Sequence, residues 1–124
     1  MIIGVGTDIV EIGRIDRLLD RNPRFVDKVF SSAEIEYCSS KANPAQSFAA
    51  RFAAKEAFLK SLGTGWDQGI SWQEIEVMND NQGKPDIRLC GKAKELAEQK
   101  GIRLIHLSLS HEKQYAVASV IAEG

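Results

Sequence analysis

The stretch RFAAKEAFLKSLGTG, residues 51–65, reads as a helix made for burial, yet it carries four charges: Arg51, Lys55, Glu56 and Lys60. At about 100° per residue, Phe52, Glu56 and Lys60 fall on one line down such a helix, with Ala49 and Ala53 beside it. Arg51 and Lys55 form a second line, roughly 100° or more further round. Phe48, Ala50, Ala54, Phe58, Leu59 and Leu62 fill the rest of the circumference. A helix apolar on most sides has to be covered by neighbours, and a carboxylate inside it is costly unless something pairs with it. The plain account is an i,i+4 salt bridge from Glu56 to Lys60, worth about 0.2–0.5 kcal/mol. The other is that the charged line faces a ligand.

The boundaries of this helix are written locally. Asn43 as N-cap, Pro44 at the first helical position and Gln46 at the third open it. Gly63 is the expected stop, so the helix runs from 44 to about 62. Upstream, residues 2–10 have strand character: Ile3, Val5 and Ile9 alternate with Gly4, Gly6 and Asp8, placing Asp8 on the glycine-lined face. Ile12, Ile15, Leu18 and Leu19 then recur at helical spacing until Asn22-Pro23. A short helical turn is expected around residues 25–29. Ser31 and Glu34 form a capping box for a helix to about residue 39. Downstream, residues 70–78 read as a strand, NDNQGKP (79–85) as a turn, and 86–89 as a second strand. Residues 92–100 form an exposed amphipathic helix ended by Gly101. Two strand-like runs, 103–110 and 115–122, joined through HEKQ make an antiparallel hairpin, with His111 in the turn. Strands and helices mix without strict βαβ alternation. The class is therefore α+β, with a mixed or antiparallel sheet against a long central helix, in a single domain spanning 1–124.

Composition narrows the function. The chain has 124 residues, 44% hydrophobic and 27% charged, with a net charge of −1. That balance argues against nucleic acid as a partner, since such domains are strongly basic. Cys38 and Cys90 are far apart and lack metal-ligand spacing, which suits reduced thiols in a reducing compartment. The N-terminus lacks the basic leader of a signal peptide, and no apolar run approaches the roughly 20 residues of a membrane span. A cytoplasmic location with no membrane partner is expected.

Two carboxylates stand out. Glu56 is one. The other, Asp8, follows an apolar strand whose glycines leave room for a ligand or for another backbone approaching closely; alternatively it simply favours the dipole of the next helix. Two isolated carboxylates near basic groups suit magnesium at a phosphate, because magnesium takes only one or two protein carboxylates. Lysine and histidine would then stabilise charge on the transferring group, and His111 is the histidine that could serve, alongside Glu56 and Lys60 as the catalytic candidates; a lone turn histidine is otherwise simply solvated. Arg14, Arg17, Arg21 and Arg24 are spaced 3, 4 and 3 apart, with Asp16 and Asp20 nearby as potential partners. They form either a solvated face or a dock for an acidic partner.

These residues carry a resemblance. GVGTDIVEIGRI, RFAAKEAFLKSLGTG and LSLSHEKQYAVA, in that order and spacing, resemble the successive signatures of the holo-acyl-carrier-protein synthases, the small bacterial phosphopantetheinyl transferases. The likeness covers nearly the whole chain, and residues 27–43 are its least diagnostic part. It implies the 4′-phosphopantetheinyl transferase fold and transfer of 4′-phosphopantetheine from coenzyme A to a serine of apo acyl carrier protein, for fatty acid biosynthesis. Adenosine 3′,5′-bisphosphate would leave. By the same resemblance Asp8 and Glu56 hold Mg2+, and Glu56 or a metal-associated water takes the serine proton. Lys60 stabilises or protonates the leaving phosphate. Arg51, His111, the Gly63-Thr64-Gly65 turn and the Gly83-Lys84-Pro85 turn contact coenzyme A. Arg14, Arg21, Arg24 and Phe25 become the dock for the acidic carrier protein. A homotrimer with active sites shared between subunits is also implied, which would bury part of the long helix against another chain. The residues by themselves leave two other readings open: a metal-dependent phosphoesterase, which needs no acceptor, and a non-catalytic module binding nucleotide or carrier protein.

Overall fold

The computed structural model describes residues 1–65 and 68–124. In chain order the elements are β1 (Ile2–Glu11), α1 (Ile12–Arg21), α2 (Pro23–Val29), α3 (Ser32–Ser39) and α4 (Pro44–Leu62). A 3-10 turn (Trp72–Glu74) follows, then β2 (Ile75–Asn79), β3 (Pro85–Leu89), α5 (Gly91–Gln99), β4 (Leu104–His111) and β5 (Tyr115–Glu123). The architecture is α+β. β1, β5 and β4 form an antiparallel sheet in that order, and β2 with β3 forms a separate antiparallel pair. α4 lies across the inner face of the larger sheet.

Local signals set most boundaries. The Asn43 side chain accepts from the Gln46 N–H at the start of α4, and Gly63 ends it in the left-handed region at φ 70°. Ser31 and Glu34 make both arms of their capping box at the head of α3. The expected strand over 70–78 begins only at Ile75, because the Glu74 carboxylate accepts from the Ser71 N–H at 3.0 Å and the Glu74 N–H donates to the Ser71 carbonyl at 3.1 Å, winding residues 72–74 into a turn. His111 closes β4 opposite Ala116, so it lies at a strand end rather than in the turn. Its register puts it on the helix-facing side with Leu107 and Leu109.

The glycine face of β1 points inward and the Ile3, Val5 and Ile9 face outward, where these three are 40%, 59% and 62% exposed. The room beside Gly4 and Gly6 is filled by helix backbone. A Cβ built on Gly6 would lie 1.8 Å from the Ala57 carbonyl oxygen, and one on Gly4 1.8 Å from that of Ser61. Glycine is therefore required at both sites by close approach. Across the sheet Ala116, Ala118, Val120 and Ala122 are wholly buried against the same helix. Small residues on the sheet and alanines on α4 bring the two backbones together. The helix is accordingly covered within its own chain: Phe48, Phe58, Leu59 and Leu62 join one core with Ile15, Phe30 and Val77. The apolar side chains of the helix are thus buried within one chain, while Lys60 remains half-exposed. Most of the large apolar side chains left exposed lie on the outer sheet face, with Met78 of β2 apart from them. Both cysteines are free thiols, and burial pushes the Cys38 thiol up to about 11, so it behaves as an inert core group. Among the described residues, no helix is long and apolar enough to cross a membrane.

Candidate active site

Strand β1 and the first charged line of α4 meet along one edge of the sheet. Asp8 faces inward beyond Gly6, and β1 continues past it to Glu11. It is therefore a mid-strand residue and not an acid at the start of α1. The Lys60 ammonium donates to Asp8 Oδ1 at 3.0 Å and to the Thr7 carbonyl at 3.1 Å. This ion pair takes the place of the i,i+4 bridge from Lys60 to Glu56. Glu56 sits one turn before Lys60 on the same line and is partly buried. Asp8 keeps only 15% of its side chain exposed while Lys60 keeps 54%. The arrangement holds one carboxylate already facing a cation, with a second carboxylate a helical turn from that cation. Such an oxygen donor set suits a hard divalent ion. Among the described residues no group of three or more His, Cys, Asp or Glu side chains is gathered that would hold a metal by itself. An ion here would complete its shell with water and substrate oxygens, as magnesium does. The turn of Gly63, Thr64 and Gly65 leaves α4 just beyond Lys60.

The second line of α4 leads elsewhere. Arg51 is only 3% exposed. Its guanidinium lies over the Tyr37 ring, 4.1 Å from the centroid, and donates to Asn79 Oδ1. Arg51 Nε is buried without a partner. Asn79 in turn donates to the Gly83 carbonyl at 3.0 Å, which ties Arg51 to the turn before β3. Arg51, Gly83, Pro85 and His111 line one cleft of about 360 Å³. Lys84, exposed, stands on the far side of that turn, where it and Pro85 border an adjoining hollow beside Leu104–Leu107. A buried guanidinium with an unspent donor, a histidine and a glycine turn are suited to a phosphorylated ligand.

The sequence reading gathers these residues in one site, with His111 beside Asp8, Glu56 and Lys60, whereas within one chain the fold divides them into two groups. Asp8, Glu56, Lys60 and the Gly63–Gly65 turn belong to the β1 edge. Arg51, His111 and the Gly83–Pro85 turn belong to the β4 edge, on the other flank of α4.

A third feature lies between α1 and α2. Arg14, Arg24 and Phe25 border a groove of about 590 Å³, together with Lys28, Phe52 and Trp72. Arg21 is exposed in the last turn of α1 and is not among its walls. Arg17 bonds Glu11 at 3.4 Å, so its partner is neither Asp16 nor Asp20. Phe25 and Phe52 stack with centroids 5.8 Å apart, and Phe52 and Trp72 stack at 5.1 Å. The aromatic floor escaped sequence reasoning because Trp72 arrives from a distant turn. Tyr37 and Asn79, which hold Arg51, were missed for the same reason.

Residues 4–120 match the family model of the 4′-phosphopantetheinyl transferase superfamily. The chain is 52% identical over 124 residues to the holo-[acyl-carrier-protein] synthase of Geobacter sp. (strain M21), covering 99% of each sequence. Among solved structures, the holo-[acyl-carrier-protein] synthase of Neisseria meningitidis superposes with a TM-score of 0.90 at 35% identity, over 100% of both chains. The Helicobacter pylori enzyme in complex with coenzyme A gives 0.84 at 32% identity, over 96% of this chain and 99% of that one.

Proposed function

The chain belongs to the 4′-phosphopantetheinyl transferase superfamily, and from that premise we propose that its two charged groups and its groove serve one reaction. That reaction is the transfer of 4′-phosphopantetheine from coenzyme A to a serine of apo acyl carrier protein, supplying carriers for fatty acid synthesis. The serine oxygen bonds to the phosphorus that bears pantetheine. The pyrophosphate bridge to the adenosine half breaks, and adenosine 3′,5′-bisphosphate leaves. The observation that carries the reading is the ion pair between Asp8 on β1 and Lys60 on α4, with Glu56 one helical turn from that lysine.

Asp8 and Glu56 would hold Mg2+, which when bound neutralises pyrophosphate charge and polarises the phosphorus. Lys60 already lies at that spot as a half-exposed cation, placed to meet the charge that builds on the leaving phosphate. Glu56 is the chain's candidate acceptor for the serine proton. The cleft lined by Arg51, Gly83, Pro85 and His111 would take the nucleotide half of coenzyme A, with Lys84 on the adjoining side of the same turn.

The two groups occupy opposite edges of one sheet, so a shared site between copies is the economical assembly, and a homotrimer is the arrangement proposed. The outer sheet face supports it: besides the β1 residues it exposes Leu104 at 57% and Ile121 at 38%, more apolar surface than scattered single residues. The two free thiols suit a cytoplasmic protein.

Incubated with apo carrier, coenzyme A and magnesium, the protein should raise the carrier's mass by one phosphopantetheine group, read by intact-mass spectrometry. Absence of that adduct with every carrier tried sinks the reading, and hydrolysis of coenzyme A without an acceptor would replace it with a phosphoesterase.

The groove of Arg14, Arg24, Lys28 and Phe25 would dock the acidic carrier. Charge there mostly governs encounter and register. Arg14→Glu should raise the KM for carrier roughly tenfold, with the KM for coenzyme A little changed, and the effect should shrink as salt is raised. Equal effects on both substrates would argue against docking here.

A further inference from the structure

Lys55 adjoins Glu56 in sequence but belongs to the second line of α4, and its side chain is wholly buried. A buried ammonium persists only if its N–H groups are bonded. Three bonds do this: to Glu34 Oε1 at 2.8 Å, to the Ile75 carbonyl at 2.7 Å and to the Trp72 carbonyl at 3.0 Å. Glu34 is equally buried. Its Oε2 accepts from the Val77 N–H at 2.9 Å, and its Oε1 also accepts from the Ser31 N–H at 2.9 Å. Well-packed apolar residues often replace such a pair without loss of stability. Stability alone therefore does not account for it. What an apolar contact does not supply is a fixed direction for the carbonyls of residues 72 and 75.

One of those carbonyls belongs to Trp72, the last ring of the aromatic row among the described residues. The Trp72 ring stacks on Phe52 with an interplanar angle of 21°, and Phe52 stacks on Phe25 at 27°. The Arg14 guanidinium lies over Phe52, 5.8 Å from its centroid. The far end of this row hangs from a one-turn segment whose backbone Lys55 grips from below.

We propose that Lys55 and Glu34 are a positioning pair for the acceptor substrate: by clamping the Trp72 backbone they preset the Trp72–Phe52–Phe25 row to receive an apolar side chain of the acidic carrier between Arg14 and Arg24. The proposal rests on the reading of this groove as the carrier dock. Neither residue touches substrate, and the effect passes through Trp72.

Steady-state kinetics on the full chain test it. In the neutralised variant Lys55→Met/Glu34→Gln, the KM for apo carrier should rise about tenfold, while kcat at saturating carrier and the KM for coenzyme A stay within about twofold. Trp72→Leu alone should raise the carrier KM by a similar factor, and adding it to the pair variant should raise it no further, as expected of residues acting through one contact. An unchanged carrier KM in the pair variant, or effects that multiply, overturns the proposal. Trp72→Leu leaves the clamp itself intact, so an unchanged carrier KM there overturns it even if the pair variant does not fold. Phe25→Ala separates the two levels. If it too leaves the carrier KM alone, the docking reading has failed; if it raises the KM and the pair variant does not, only the positioning role has failed.

Discussion

Asp8→Ala and Glu56→Ala should each lower kcat/KM for transfer by about a thousandfold or more, the scale on which charge-stabilising groups act in phosphoryl transfer. The fold should survive both changes. Asp8 lies at the rim of the site and its ion pair is with a lysine that is 54% exposed. Such a pair contributes only about 0–1 kcal/mol, and the packing of β1 on α4 is made by glycines rather than by the carboxylate. Circular dichroism and thermal melts should therefore stay close to the parent protein. Magnesium affinity, read by calorimetry with the ion alone, should fall in both. Asp8→Asn sharpens the test, because it keeps the size and an acceptor for Lys60 but removes the charge. Normal turnover in any of these variants would show that the ligands have been assigned to the wrong residues.

Lys55→Met should produce the largest loss of stability among single changes near the site. Removing the ammonium strands the Glu34 carboxylate in the core, and breaking a buried pair in this way costs about 3–5 kcal/mol. Burial already holds the Lys55 pKa below the usual lysine range, against the opposing pull of Glu34, which is the mark of an ion whose stay inside depends on its partner. Adding Glu34→Gln should recover a good part of the loss, since no charge is then left unpaired. Urea unfolding measures both steps. A loss below about 1 kcal/mol for the single change would mean that water reaches the site and that the pair is not dry.

Much of this was legible in the sequence where the cause is local. Asn43 with Pro44 and Gln46, Ser31 with Glu34, and the left-handed stop at Gly63 are short-range hydrogen-bonding or backbone effects, and α3 and α4 begin and end where those residues say. Ser71 and Glu74 carry the same signature; it went unread beneath the apolar run, so β2 was expected to begin too early. The partners of the charges were not legible. Lys60 meets Asp8 across 52 positions, and Lys55 meets Glu34 across 21. Periodicity tells which residues share a line on a helix but not which element that line will face. At β1 the sequence leaves two readings open, a ligand or a close backbone, and the helix backbone is what fills the space. The strand's glycine side is the buried one, because a helix of alanines needs proximity more than it needs side chains to pack against.

That contact has a bearing on how the protein can drift in sequence. The span between Asp8 and Lys60 is gauged backbone to backbone, through Gly6 against Ala57 and Gly4 against Ser61. Side chains elsewhere in the core can exchange volume without altering it. The gauge is insulated from ordinary wear in the interior, and the freedom lost at two glycines is returned as tolerance at the many apolar positions around them.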